Sequence, residues 1–140
     1  MARLWSPKIK DDPLAFVMFA FPWGVKGTPL EHFNGPRKWQ REVLSEIAEH
    51  IKANNGKIDY ETFRQSVSSG RGIGKSALVS WITIWMLSTR IGSTTIISAN
   101  SENQLRSITW AEITKWLAMS INSARVASRA SALSSTARRR

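Results

Sequence analysis

A glycine-rich loop ending in a lysine and a serine is the part of this sequence best suited to chemistry. It reads Ser69-Gly-Arg-Gly-Ile-Gly-Lys-Ser76. Its glycines allow positive φ angles and let the backbone approach an anion closely. The ammonium of Lys75 can reach the β and γ phosphates of a nucleotide, and the hydroxyl of Ser76 can bind Mg²⁺. A stretch of helix length follows, so a helix N-terminus would face the same anion. The expected ligand is a nucleoside triphosphate.

The loop departs at one position from the phosphate-loop pattern G-x-x-x-x-G-K-[ST], because Ser69 stands where the first glycine belongs. The remaining G-x-G-K-S lies between a strand candidate and a helix candidate, which is the context that the pattern requires. The alternative interpretation is a glycine-rich turn that happens to end in Lys-Ser.

Composition indicates one soluble domain. The chain has 140 residues, of which 42% are hydrophobic, and this is enough for one modest core. It contains no cysteine, which excludes disulfides and thiolate metal sites and fits a reducing compartment. The first residues lack the apolar segment of a secretory signal. The longest early apolar run, Leu14 to Trp23, is about half the length of a membrane span and contains Pro22.

The net charge of +10 favours polyanionic partners, but much of it comes from the end of the chain. Without the five arginines after Ser123, 15 basic and 10 acidic residues leave +5. Residues 124–140 contain no aromatic or acidic side chain, and we expect them to be disordered. They are either a basic tail that contacts nucleic acid or, as we prefer, a sequence translated in the wrong reading frame after a frameshift or a gene truncation.

Helix and strand signals alternate between residues 12 and 123. The expected helices are an apolar one after Asp12-Pro13, an amphipathic one opened by Pro36, a nearly all-apolar one from Lys75 to Ser88, and one from the capping sequence at Ser101 to Ser120. A weak strand is expected over residues 58–69 and a β-branched one over residues 94–99. Residues 1–11 are expected to form an irregular arm. Trp81 and Trp85 are expected in the core.

This order predicts an α/β fold over residues 12–123, a partial P-loop NTPase domain with a parallel sheet and flanking helices. A strand, a crossover helix and a second strand imply neighbouring parallel strands. The loop would lie at the carboxyl end of the first strand, where open α/β sheets bind ligands. If residues 69–76 lay inside a continuous helix or away from the carboxyl end of any strand, there would be no triphosphate site and the functional assignment would fail with it. With two strands where about four to six are usual, the sheet would be incomplete and prone to aggregate at its open edge.

Gln40 is a second candidate for ligand contact. It lies in the first turn of the amphipathic helix, where a solvent-exposed side chain is the ordinary expectation. Its amide can donate and accept a hydrogen bond together, which suits the edge of adenine.

Several stretches, in this order, resemble the N-terminal part of the ATPase domain of terminase large subunits from tailed phages and prophages. They are residues 12–24, the segment Gly35-Pro-Arg-Lys-Trp-Gln-Arg-Glu-Val-Leu44, the loop from Ser68 to Ser76, residues 98–106 and residues 109–116. The second stretch resembles the family's adenine-contacting segment, with Gln40 at the matching glutamine. The family commonly has a small residue at the position of Ser69 and an arginine at that of Arg71. The resemblance covers residues 10–123.

The resemblance implies the motor that pumps viral DNA into a procapsid by ATP hydrolysis, in the cytoplasm of a bacterial host. Lys75 would hold the β and γ phosphates, Arg71 would stabilise charge on the γ-phosphate, and Ser76 would bind Mg²⁺. Gln40 would read adenine. The phosphates would be cradled by the backbone N–H groups of Gly70, Arg71, Gly72, Ile73, Gly74, Lys75 and Ser76. The implied partners are double-stranded viral DNA, the terminase small subunit and the portal or procapsid, with no membrane.

The acidic residues that hydrolysis requires are missing from the expected place. Phosphoryl transfer needs an acid on a later strand for Mg²⁺ and a carboxylate that orients the attacking water. After the loop only Glu102 and Glu112 are acidic, and both are expected on a helix. The family's nuclease domain is missing too. We therefore expect a truncated packaging ATPase with weak nucleotide binding at most and no meaningful turnover.

Two other functions stay open. The loop and Gln40 would serve equally well in another P-loop DNA translocase, such as a helicase. A carboxylate cluster beyond the ATPase domain would favour a terminase, whereas helicase arginine motifs would favour the alternative. The third function is a non-enzymatic protein that binds nucleic acid through its arginine-rich tail, and binding that survives deletion of residues 124–140 would argue against the tail.

Overall fold

The computed structural model describes residues 6–120, and this part of the chain consists of helices joined by loops. The helices are α1 (Pro7–Lys10), α2 (Pro13–Ala20), α3 (Lys38–Asn54), α4 (Lys75–Thr89), α5 (Glu102–Gln104) and α6 (Ala111–Met119), with a π-helical segment, Leu105–Trp110, between the last two. Within this range, no helix combines the length and the apolar character that crossing a membrane requires. The basic stretch 124–140, which we expect to be disordered, lies outside the described residues.

Local sequence signals explain the start of α2. The Oδ1 atom of Asp12 accepts a hydrogen bond from the backbone N–H of Ala15 at 2.9 Å, and Pro13 occupies the first helical position. The expected apolar helix forms here, although Met18 and Phe19 are 42% and 37% exposed. Its buried apolar side chains are Phe16, Val17 and Ala20.

The amphipathic helix α3 is also confirmed. It begins at Lys38, two residues after the proline that the sequence pattern places at its start, and it ends at Asn54 just before Gly56, whose φ is +80°. Its inward face carries the expected apolar stripe. The buried members of that stripe are Val43, Leu44 and Ala48.

The core centres on α4 and on four aromatic side chains that we call the aromatic cluster: Phe21, Trp23, Trp81 and Trp116. The ring centroids of Trp81 and Trp116 lie 5.0 Å apart, and those of Phe21 and Trp116 lie 5.1 Å apart, both in edge-to-face geometry. The prediction that Trp81 and Trp85 belong to the core is confirmed, since they are 2% and 3% exposed. The cluster ties the turn after α2 to α4 and α6.

The continuous helical stretch formed by α5, the π-helical segment and α6 starts at the predicted N-cap, Ser101. The Oγ atom of Ser101 accepts a hydrogen bond from the backbone N–H of Gln104 at 3.2 Å. The π-helical segment widens the turn that follows, and its apolar side chains Ile108 and Trp110 are exposed. Burial returns in α6, where Ile113 and Trp116 face the core.

The predicted α/β fold is wrong for the described residues. Neither residues 58–69 nor residues 94–99 form a strand, and no sheet is present between residues 6 and 120. A strand is stable only when its backbone groups bond to a neighbour, and in this range no backbone hydrogen bond joins the two stretches. Ile58 is fully exposed and Ile96 is 89% exposed, whereas Thr95 and Ile97 are half-buried without a strand partner. The sequence of these two stretches suits a strand, but no other segment pairs with either of them among the described residues.

The predicted irregular arm of residues 1–11 needs a partial correction as well. Residues 1–5 are outside the described range, but Pro7–Lys10 forms a helical turn, α1. The carbonyl oxygen of Lys10 accepts hydrogen bonds from Trp85 Nε1 at 3.0 Å and from Arg90 Nη1 at 3.1 Å. These contacts anchor the segment to the end of α4.

We predict that Trp116→Ala lowers the free energy of unfolding by about 3–5 kcal/mol, because it removes a buried ring from the aromatic cluster. The matched control is Trp110→Ala, at the end of the π-helical segment, where the ring is 66% exposed. We expect its free energy of unfolding to change by no more than about 0.5 kcal/mol. Urea denaturation followed by circular dichroism measures both. Equal losses in the two variants would contradict the packing described here.

Candidate functional site

The glycine-rich loop adopts left-handed backbone conformations at two of its three predicted glycines. Gly72 has a φ of +75° and Gly74 a φ of +95°, angles at which an L-residue with a side chain is strained. Gly70 does not share this conformation, so the sequence does not need glycine there for its φ angle. Gly74 is the residue that turns the chain into α4.

The N-terminus of α4 presents free backbone donors. Gly74 is the N-cap, and no side chain caps the helix end. The first intrahelical bond runs from the N–H of Leu78 to the carbonyl of Gly74 at 3.1 Å. The N–H groups of Lys75, Ser76 and Ala77 have no acceptor among the described residues. Three free donors at the positive end of a helix form a favourable environment for an anion.

The side chain of Lys75 folds back over the loop. Its Nζ atom donates hydrogen bonds to the carbonyl oxygens of Ser69 at 2.6 Å and of Gly70 at 3.0 Å. The ammonium therefore lies over the turn that precedes α4. A phosphate at the helix end would lie beside this ammonium.

Gln40 connects the loop to α3 by one hydrogen bond and forms a second one at the N-terminus of α3 itself. Its Nε2 atom donates to the carbonyl oxygen of Gly74 at 2.8 Å, and its Oε1 atom accepts from the backbone N–H of Arg37 at 2.8 Å. The side chain is only 2% exposed, so the expectation of a solvated helix residue is wrong. One Nε2 hydrogen and one Oε1 lone pair remain for a ligand. Gln40 thus positions the loop whatever else it contacts.

The contact with Gln40 imposes a second requirement for glycine at position 74. A Cβ atom built there would lie 2.6 Å from Gln40 Nε2. At Gly72, by contrast, a Cβ atom would meet nothing within 4 Å. Position 74 therefore needs glycine for both conformation and space, and position 72 for conformation alone.

Arg37 is a site residue that sequence reasoning missed. Its Nη1 atom donates to the carbonyl oxygen of Gly72 at 3.4 Å, which brings a second cation to the loop from α3. The only signal for it in the sequence is its position three residues before Gln40, one helical turn away. Nothing in the sequence indicates that the two residues reach the loop together.

An apolar cavity of about 230 Å³ lies on one side of the loop. Three members of the aromatic cluster line it, together with prolines, Phe33, Arg37, Gln40, Ala77 and Gly74. The indole N–H of Trp81, one of the lining residues, is buried and has no acceptor among the described residues. Buried donors usually have a partner, so this unpaired N–H group is an exception in the wall of the core.

A polar groove of about 870 Å³ lies along the loop. It is lined by Arg71, Gly72, Ile73, Gly74, Lys75 and Ser76 on the loop side and by Ser101, Asn103, Gln104, Ser107 and Ile108 on the other. Of the predicted site residues, only Gly70 and Gln40 are outside this lining, and Gln40 lines the apolar cavity. Gly74 lines both spaces, so they meet at the start of α4.

The charges around the two spaces are all positive. The charged residues in the two linings are Arg37 and Lys115 in the cavity and Arg71 and Lys75 in the groove. The two acids that follow the loop in sequence do not themselves line either space, but Glu112 forms an ion pair with the cavity residue Lys115 at 3.8 Å. Glu102 accepts a hydrogen bond from Arg106 at 2.9 Å, and Glu112 accepts one from Trp116 at 2.8 Å. The arrangement suits a polyanion that carries an apolar or aromatic group.

Ser76 is the candidate ligand for Mg²⁺. It lies in the first turn of α4 with an exposed side chain. Among residues 6–120, no group of three or more His, Cys, Asp or Glu side chains is arranged to hold a metal. A Mg²⁺ ion here would take the Ser76 hydroxyl and oxygens of a bound phosphate as ligands, which is the usual preference of this ion.

In comparisons with protein-family models, with curated proteins and with solved structures, nothing matches this chain.

We predict that Gly74→Ala lowers the free energy of unfolding by about 2–4 kcal/mol, because it adds left-handed strain and displaces the buried Gln40 amide. Gly72→Ala is the matched control, with the same strain and no steric contact, and we expect a loss of about 1–2 kcal/mol. Chemical denaturation of both variants separates the two effects. Losses of equal size would show that the Gln40 contact does not constrain the loop.

Proposed function

We propose that this chain binds ATP with Mg²⁺ through the loop 69–76, as the nucleotide-binding part of a viral DNA-packaging motor of the terminase large-subunit type. The observation that carries the proposal is the open N-terminus of α4. Lys75 and Ser76, which carry two of the free N–H groups, an ammonium and a hydroxyl, line one groove, and Ala77, which carries the third N–H group, lines the neighbouring cavity. Donors, a cation and a hydroxyl are the groups that a Mg²⁺-bound triphosphate needs.

The two spaces that meet at Gly74 fit the two halves of a nucleotide. The cavity has aromatic walls and the Gln40 amide for a base, and the groove has cations for the phosphates. Gln40 would read adenine with the amide hydrogen and lone pair that its bonds to Gly74 and Arg37 leave free. The strand expected before the loop does not form among the described residues, so the expectation of a loop at the carboxyl end of a strand is wrong, and the proposal depends on the groups at the N-terminus of α4 alone.

Each residue of the loop has a defined task in this proposal. Lys75 moves its ammonium from the carbonyls of Ser69 and Gly70 to the β and γ phosphates, Arg71 stabilises charge on the γ-phosphate, and Ser76 orients Mg²⁺. Bound Mg²⁺ supplies neutralising charge on the phosphates. The backbone of residues 70–76 excludes water from one side of the phosphate chain.

The larger context of the proposal comes from the resemblance in sequence alone. A packaging motor works on double-stranded viral DNA, with a small subunit and a portal or procapsid, in the cytoplasm of a bacterial host. These partners belong to the proposal as a whole, and binding of ATP is the part that the described residues can support directly.

We expect Lys75→Ala to weaken binding of a fluorescent ATP analogue at least about tenfold, because it removes a charge-assisted contact to phosphate. The matched control is Lys52→Ala, which removes the same charge from the far end of α3 and should change affinity by less than about twofold. Fluorescence anisotropy with Mg²⁺ present measures both variants. Equal affinity in the two variants would mean that ATP binds this basic chain without using the loop.

Hydrolysis is a separate prediction. We expect the wild-type chain and the Lys75→Ala variant to release phosphate from Mg²⁺-ATP at the same steady-state rate. The reason is that no carboxylate lines the groove to orient an attacking water. A coupled phosphate assay on the purified chain measures it. Turnover that Lys75→Ala abolishes would refute the prediction of an inactive ATPase.

A further inference from the structure

The groove has a second wall that faces the phosphate loop and that the proposed function leaves unused. Its polar members, which we call the polar wall, are Ser101, Asn103, Gln104 and Ser107. Ser101 caps α5, Asn103 and Gln104 lie in α5, and Ser107 lies in the π-helical segment. π-Helical segments are rare in proteins, and those that occur are often found at functional sites. All four side chains are exposed.

The hydrogen bonds of the polar wall leave amide donors available. Asn103 Oδ1 accepts a hydrogen bond from the hydroxyl of Ser107 at 2.7 Å, so the Nδ2 hydrogens of Asn103 stay free. The side chain of Gln104 has no partner among the described residues. The one acid in this turn, Glu102, is bonded to Arg106 and does not line the groove. The wall can therefore donate to an anion without a repelling carboxylate.

The order of the two spaces along the loop fixes which end of a nucleotide meets this wall. Gly74 lines both the apolar cavity and the polar groove. A nucleotide whose base occupies the cavity must cross Gly74, so its phosphate chain extends into the groove away from the base. The inner phosphates lie against the N–H groups of α4. In this binding mode the terminal phosphate is the one farthest from Gly74, and it would lie between the loop and the polar wall.

We infer that Asn103 and Gln104 bind the terminal phosphate of a nucleoside triphosphate and so set a preference for triphosphate over diphosphate. This inference rests on the proposed function, since it uses the same groove and loop. A diphosphate would satisfy the end of α4 and Lys75 but would leave the amides of the polar wall without a partner. The two residues act as specificity determinants and take no part in bond breaking.

The test compares Mg²⁺-ATP with Mg²⁺-ADP for the full chain and for Asn103→Ala/Gln104→Ala, by isothermal titration. We expect ATP affinity to fall about tenfold in the double variant and ADP affinity to change less than about twofold, as the loss of hydrogen bonds to a charged group predicts. Both residues are exposed, so their replacement removes no packed side chain. Asn55→Ala, an exposed asparagine after the last turn of α3, is the control and should leave both affinities unchanged.

Each outcome has one meaning. An unchanged affinity for ATP in the double variant overturns the inference, and so does an equal fall for ATP and ADP, because then the wall does not contact the terminal phosphate. In both of these cases Lys75→Ala still reports on the proposed function by itself. If wild type binds neither nucleotide, or if Lys75→Ala binds both as well as wild type, the proposed function fails and the inference fails with it.

Discussion

The contact between Gln40 and Gly74 is the constraint on which the rest of the site depends. A single buried amide donates to the carbonyl before α4 and accepts from the backbone that begins α3, both at 2.8 Å. It thereby fixes the N-termini of two helices against each other, although the residues are 34 positions apart in sequence. Because a Cβ atom at position 74 would lie 2.6 Å from this amide nitrogen, only glycine fits the junction with α4 without displacing Gln40.

The junction at Gly74 divides the site into an apolar cavity and a polar groove. The aromatic cluster forms part of the cavity wall, so Trp23, Trp81 and Trp116 both pack in the core and line the cavity. The groove inherits its charge from the loop, where Arg71 and Lys75 meet no carboxylate in the lining. In the proposed function this site holds a nucleotide, and none of the described residues that line the groove is a carboxylate.

Helices and their caps could be predicted from the sequence because the forces that form them are local. Asp12 bonds to a residue three positions away, and the apolar stripe of α3 is visible in its period. Strands could not be predicted in this way. The β-branched residues 94–99 are suitable for a strand, but a strand exists only if a distant segment pairs with it, and Ile96 remains in solvent.

The candidate site shows the same limit. The loop and its lysine were visible as a motif, yet the burial of Gln40, the reach of Arg37 and the polar wall across the groove depend on tertiary contacts that no spacing in the sequence reveals. Gln40 illustrates the difference most clearly. Its position in a first helical turn suggested solvent, and its environment in the structure makes it the connection between two helices.

The most direct measurement of the central claim is a two-dimensional amide NMR titration of the full chain with Mg²⁺-ATP. The account predicts that the largest shifts occur at the backbone amides of residues 72–77, where free N–H groups meet the phosphates, with smaller shifts at Gln40. Shifts confined to the arginine-rich residues after Ser123 would contradict it, because they would show that ATP is attracted by net charge and that the loop does not bind it.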